Sequence, residues 1–145
     1  MESLSISASG MTAERLRMDV VANNLANVNT TRTATGGPFR RQQVLFSSGA
    51  NTFDDMLSSM TGSDRSAGTN GVRVTGVVPD NSPMRRVYEP GHPDADAKGY
   101  VTMPNVDTVT EMVDMMSASR AYEANVSAVQ AIKGMAQKAI EIGRP

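Results

Sequence analysis

The 145-residue sequence predicts a mainly α fold with a small β-rich insertion. A helical arm at each end pairs with the other in coiled-coil fashion, and a central antiparallel β piece joins them. Three observations predict this. Apolar residues recur three or four apart at both ends, the spacing of a helical stripe. Residues 31–105 hold nine of the twelve Gly and six of the seven Pro, so helix cannot persist there. Within that middle, short alternating apolar runs lie between turn residues, as strands do.

The N-terminal arm spans residues 1–30. Leu4, Ala8, Met11, Met18, Ala22 and Leu25 follow a four-three spacing with Arg15 in the missing place, close to a heptad seam. Arg at one such place is tolerated at an edge, its stem on apolar surface and its head in water. The arm ends in Val21-Ala22-Asn23-Asn24-Leu25-Ala26-Asn27-Val28-Asn29-Thr30, and Asn is a poor helix former. Two readings stand. The Asn residues cap a fraying end, or some of their amides bond across a helix interface and fix its register. On the second reading Met18, Val21, Asn23, Asn24, Leu25, Asn27 and Val28 are candidate interface residues.

The central region, 31–105, opens on the turn Gly36-Gly37-Pro38. Strands are expected at Phe39 to Phe46, Gly71 to Val78, Met84 to Tyr88 and Tyr100 to Met103, with a turn at Pro79-Asp80-Asn81-Ser82-Pro83. Such a sheet is too small to be very stable alone. Residues 47–70 read as a loose insertion, in which Phe53, Met56, Leu57 and Met60 suit two turns of amphipathic helix.

The C-terminal arm, 106–145, carries no Gly or Pro from Val106 to Lys133. Val109, Met112, Met116, Tyr122, Val126, Val129, Ile132, Met135, Ala139 and Ile142 are read as one stripe, with small residues at Ser117, Ala118 and Ser119. Thr108 with Glu111 has the form of a capping box, just after Pro104. At about 1.5 Å per residue the helix is roughly 50 Å long, too long for a chain of this size to wrap. Met112, Met116, Tyr122, Asn125, Val126, Val129 and Ile132 are its candidate interface residues. Tyr122 suits an anchor with a packed ring and a bonded hydroxyl. Val113, Met115 and Ile140 lie beside the stripe, so one helix pair leaves apolar surface uncovered and calls for further copies.

Composition narrows the function classes. With 14 Lys+Arg against 15 Asp+Glu, nothing points to nucleic acid or an anionic membrane. Three Phe, three Tyr, no Trp and 11 Met favour adaptable packing surfaces over a rigid core. No Cys is present, which excludes disulfides and thiolate metal sites. No basic-then-apolar leader opens the sequence and no apolar run is long enough to span a bilayer.

Catalytic and cofactor constellations are weak. The single His lies in Gly91-His92-Pro93-Asp94-Ala95-Asp96, where flanking Pro favours a turn with Asp94 and Asp96 as turn residues over a metal site. No nucleophile elbow and no phosphate-cradling Gly loop occurs. Asp54-Asp55 falls in the loose insertion, where positioning would be poor. No enzyme activity, cofactor, metal or small-molecule substrate is expected.

The stretch Val21–Thr30 resembles the N-terminal motif of the bacterial flagellar rod and hook protein family. His92-Pro93-Asp94-Ala95-Asp96, Gly99-Tyr100-Val101-Thr102-Met103-Pro104-Asn105-Val106-Asp107 and Ser119-Arg120-Ala121-Tyr122-Glu123-Ala124-Asn125-Val126, running on to Ile140-Glu141-Ile142-Gly143-Arg144, resemble the proximal-rod members of that family. Thr30-Thr31-Arg32-Thr33-Ala34-Thr35 departs from the family's usual Thr-Pro-Gly or Thr-Thr-Gly, which leaves the conformation of that loop open. The resemblance implies a structural subunit of the flagellar basal-body rod. It implies terminal helices in the inner tube wall, the β-rich part outside, and a place in the cell envelope. It further implies export through the flagellar type III apparatus without a cleaved signal. The implied neighbours are other copies, other rod proteins and the export-gate or adaptor side.

The physical expectation is folding coupled to assembly, with arms partly disordered in a free subunit. The competing reading is a soluble coiled-coil adaptor or chaperone-like binding module. Solution size against concentration separates them, because an adaptor closes as a small oligomer and a tube subunit polymerises open-ended.

Overall fold

The structure, a computed structural model, describes residues 2–48 and 71–143. Helix α1 spans Glu2–Ala26 and helix α2 spans Thr108–Ile142. Between them lie β1 (Gln42–Ser48), β2 (Val72–Pro79), β3 (Arg85–Tyr88) and β4 (Tyr100–Met103). The strands form two small sheets, β1 with β2 and β3 with β4. The fold class is therefore the expected one, terminal helices around a small β region. The expected helical turns at Phe53, Met56, Leu57 and Met60 lie outside the described residues.

The chain gathers into two compact units: Met1–Leu16, Leu45–Gly76 and Ala118–Pro145 in one, Arg17–Val44 and Val77–Ser117 in the other. Both helices and both strands of the first sheet pass from one unit into the other.

Helix α1 stops at Ala26 rather than running to residue 30. The backbone N–H of Asn27 reaches the carbonyls of Asn23 and Asn24, and Asn27 Nδ2 donates to the Asn23 carbonyl at 2.9 Å. Thr30 Oγ1 then donates to Asn27 Oδ1 at 3.1 Å. The Asn27 amide serves the backbone of a helix end while the Asn23 side chain only accepts from it, so capping describes Asn27. The following loop closes on itself. Thr33 N donates to the Gly37 carbonyl, Gly36 N to the Thr33 carbonyl and Phe39 N to the Thr30 carbonyl. Gly36 and Gly37 both have positive φ, 81° and 82°, which a side chain would oppose.

Strand β1 begins at Gln42, not Phe39. The amide of Phe39 is committed to Thr30, and that of Arg41 donates to Asn105 Oδ1 at 2.8 Å, so neither is free to open a ladder. In the second sheet β3 and β4 run antiparallel, with Arg85 opposite Met103 and Tyr88 opposite Tyr100. Tyr88 and Tyr100 meet edge to face at 5.3 Å, and Arg86 lies 5.5 Å from the Tyr100 ring. The loop joining these strands is organised by Asp96, whose Oδ1 accepts the amides of Lys98 and Tyr100. Gly99 stands there at φ 78°, and a Cβ on it would come within 2.9 Å of the Tyr88 ring. His92 also plays a loop part, its Nδ1 accepting the Asp94 amide at 3.1 Å.

Helix α2 starts at Thr108, but its cap is Asp107. The Glu111 amide donates to the Asp107 carbonyl, and Asp107 Oδ2 accepts Thr110 Oγ1 at 2.6 Å. The capping-box expectation fails because the Glu111 carboxylate has stronger partners elsewhere in the fold.

Candidate assembly interface

The unit built from residues 17–44 and 77–117 centres on Glu111, whose side chain is fully buried. An ionised carboxylate tolerates that only with charge and hydrogen-bond partners. Arg41 Nε donates to Glu111 Oε1 at 2.5 Å, and Asn24 Nδ2 donates to Glu111 Oε2 at 3.0 Å. Asn24 also donates to the Gln42 carbonyl and accepts the Gln42 amide, so its whole amide is used at the start of β1. Arg41 Nη2 reaches Asp114 Oδ2 at 3.1 Å, and its Nη1 lies 3.7 Å from Asp80 Oδ2. Arg17, on α1, stands 3.5 Å from the other oxygen of Asp114.

Partial burial by itself would lower the pKa of Arg41. The hydrogen bond and charge of Glu111, with Asp114 and Asp80 behind them, more than offset it and raise that pKa. Asp80 is held below the usual aspartate range by the Ser82 hydroxyl and amide first, and by Arg41 after them.

Around this cluster Val20, Val21, Val101 and Val106 are buried. The inward line of α1 thus runs through Val20, Val21 and Asn24. The expected seam differs: Ala8, Arg15 and Ala22 are exposed, while Leu4, Met11, Met18 and Leu25 are half-buried. Asn24 decides the rotation. Its amide finds partners only when it points inward, and it carries Val21 with it.

The expected stripe on α2 is two stripes. Two residues along a helix is about 200° of turn, so side chains at 109, 112, 113 and 116 oppose those at 111 and 114. Glu111 faces in. Val109, Met112, Val113 and Met116 face out, 68%, 51%, 54% and 55% exposed. The break comes at Ser117–Ser119, where the apolar spacing jumps from Met116 to Tyr122.

In the other unit Ala13 and Ala118 are buried, and Tyr122, Asn125, Val126, Val129 and Ile132 are half-buried. Asn125 Nδ2 donates to the Ala121 carbonyl, and a Cβ on Gly10 would lie 3.0 Å from that nitrogen. The two helices therefore approach closely there. Among the described residues the Tyr122 hydroxyl has no hydrogen-bond partner. Met135, Ile140 and Ile142 are exposed.

Among the expected interface residues, Val21 and Asn24 are buried inside the chain, Asn27 serves the helix end, and Asn23 is exposed and accepts from Asn27. Met112 and Met116 remain open. Sequence reasoning missed the cluster of Arg41, Glu111 and Asp114, while Val109 was placed in the stripe and Val113 beside it as uncovered apolar surface. Carboxylates three apart at 111 and 114 were the available signal.

Residues 4–32 match the family described as Flagella basal body rod protein, and residues 97–142 match the Flagellar basal body rod FlgEFG protein C-terminal family. The flagellar basal-body rod protein FlgC of Bacillus subtilis is 49% identical, covering 98% of this chain and 97% of its own. The chain belongs to the FlgC family of flagellar basal-body rod proteins. FlgC of Borreliella burgdorferi is 44% identical over 97% of this chain and 95% of its own. FlgC of Escherichia coli O6:H1 is 43% identical over 96% and 94%. The matched segment 4–32 takes in most of α1 and the loop after it, the segment 97–142 takes in β4 and α2, and Asn24 and Glu111 join the two.

Proposed function

We propose that this structural rod protein of the FlgC family builds into the proximal rod as a non-enzymatic subunit, docking through helix faces left open in the single chain. The observation that carries the reading is the outward face of α2. Val109, Met112, Val113 and Met116 sit at helical spacing, all more than half exposed. Burying a Val or Met side chain is worth about 1.5–3 kcal/mol, so a face of four favours a covering partner. Met135, Ile140 and Ile142 extend the supply of uncovered apolar surface toward the C-terminus. The partners are other copies and other rod proteins, with the export-gate or adaptor side adjacent. The chain reaches that place in the cell envelope through the flagellar type III apparatus. No helix among the described residues is long and apolar enough to cross a membrane.

The paired substitution Met112→Asp with Met116→Asp, supplied to a strain lacking its own copy, tests this. Both side chains are exposed, so circular dichroism of the purified chain should not change. Swimming should be lost, and normal swimming would sink the reading.

A further inference from the structure

Helix α2 presents the wrong face to its own chain, judged by hydrophobicity alone. Between residues 109 and 116 four of the five large apolar residues, Val109, Met112, Val113 and Met116, point out, and Met115 alone is half-buried. The opposite face, which turns inward, carries Glu111 and Asp114. A helix free to rotate would bury the first set and hydrate the second. Three side chains hold the opposite choice in place. Arg41 spans Glu111 and Asp114, Asn24 takes the second oxygen of Glu111, and Arg17 takes the second oxygen of Asp114. Arg41 is itself anchored by its backbone, its amide on Asn105 and its carbonyl on Asp80.

We propose that the Arg41–Glu111–Asn24 cluster is a positioning device that sets the rotation of α2, so that its apolar face is kept out for a partner helix instead of being consumed inside the subunit. The proposal rests on the reading of that face as a docking surface. Buried ion pairs are often worth little as stability, and their best-attested use is to select one register among several. Here the selection runs against the hydrophobic preference, which is what a subunit with a reserved contact needs. Arg41 and Glu111 touch no partner in this scheme; they act through α2.

The absence of Cys lets single thiols report the rotation in the full chain. Met116→Cys places one on the outward face, and Val21→Cys places one on the buried face of α1. In the otherwise native chain the first should react with a thiol reagent faster than the second by roughly tenfold or more, as closure of a packed site demands. Both are then compared in an Arg41→Met, Glu111→Leu background, which removes the two charges together. The proposal expects the thiol at 116 to become protected there while that at 21 stays protected. A fast thiol at 116 with a slow one at 21 overturns it, since the face is then kept without the cluster. Two fast thiols in that background also overturn it, because the cluster would then maintain packing rather than choose a face. The labelling is read on free subunits. Failure of the swimming test would remove the docking reading and leave the rotation result standing.

Discussion

At the scale of single residues, Glu111 has the largest consequences. It is fully buried, it is charged, and both its oxygens are engaged. Glu111→Ala removes the bonds to Arg41 and Asn24 but leaves Arg41 its contacts with Asp114 and Asp80, so it should cost about 1–3 kcal/mol of unfolding free energy, readable as a lower urea midpoint. An unchanged midpoint would mean that Arg41 finds equal partners in Asp114 and Asp80. Glu111 also shows how a local rule misleads. Thr-x-x-Glu after Pro104 has the form of a helix start, and the helix does start there. Yet the carboxylate is taken by a guanidinium 70 residues away in sequence, and Asp107 does the capping. The Asn run was legible as two alternatives, and each describes part of it: Asn24 bonds to Glu111 on α2, while the Asn27 amide caps the end of α1.

Among elements, the close approach of α1 and α2 at Gly10 and Asn125 yields the clearest test. Ala is a better helix residue than Gly by about 1 kcal/mol, but a Cβ at position 10 would crowd the Asn125 amide at 3.0 Å. Gly10→Ala should therefore bring no gain in thermal midpoint alone, and a gain of several degrees once Asn125→Ala has cleared the space. A full gain in the native background would show that the helices are not held together there. The strand positions were legible because Val72, Val74 and Val78 alternate and turn residues bound each run. The start of β1 was not, since the Phe39 amide closes the loop back to Thr30 and the Arg41 amide is committed to Asn105, far off in sequence.

For the molecule as a whole, acid is the informative perturbant. Asp80 is held below the ordinary aspartate value of 3.8 by Ser82, Asp96 by the Tyr100 and Lys98 amides, and Asp107 by Thr110. Each folded pKa lies below its unfolded value, so each contributes stability that is present above about pH 4 and lost as pH falls through the folded value. The urea midpoint should hold from pH 7 to 5 and drop by pH 3; a flat profile would show that these loops do not contribute to the fold. Two helical ends, a Gly- and Pro-broken middle and a surplus of apolar positions are properties of residue order, because periodicity and chain-breaking act locally. By themselves they determined the fold class and the expectation that some face stays uncovered, while the family resemblance rests on the motifs at Val21–Thr30 and Gly99–Asp107. Which face stays uncovered is a rotation, and spacing cannot choose between two stripes on one helix. Only the tertiary structure decided it, by bringing Arg41 and Asn24 onto Glu111, where satisfying a buried charge outweighs the hydrophobic preference of four Met and Val side chains.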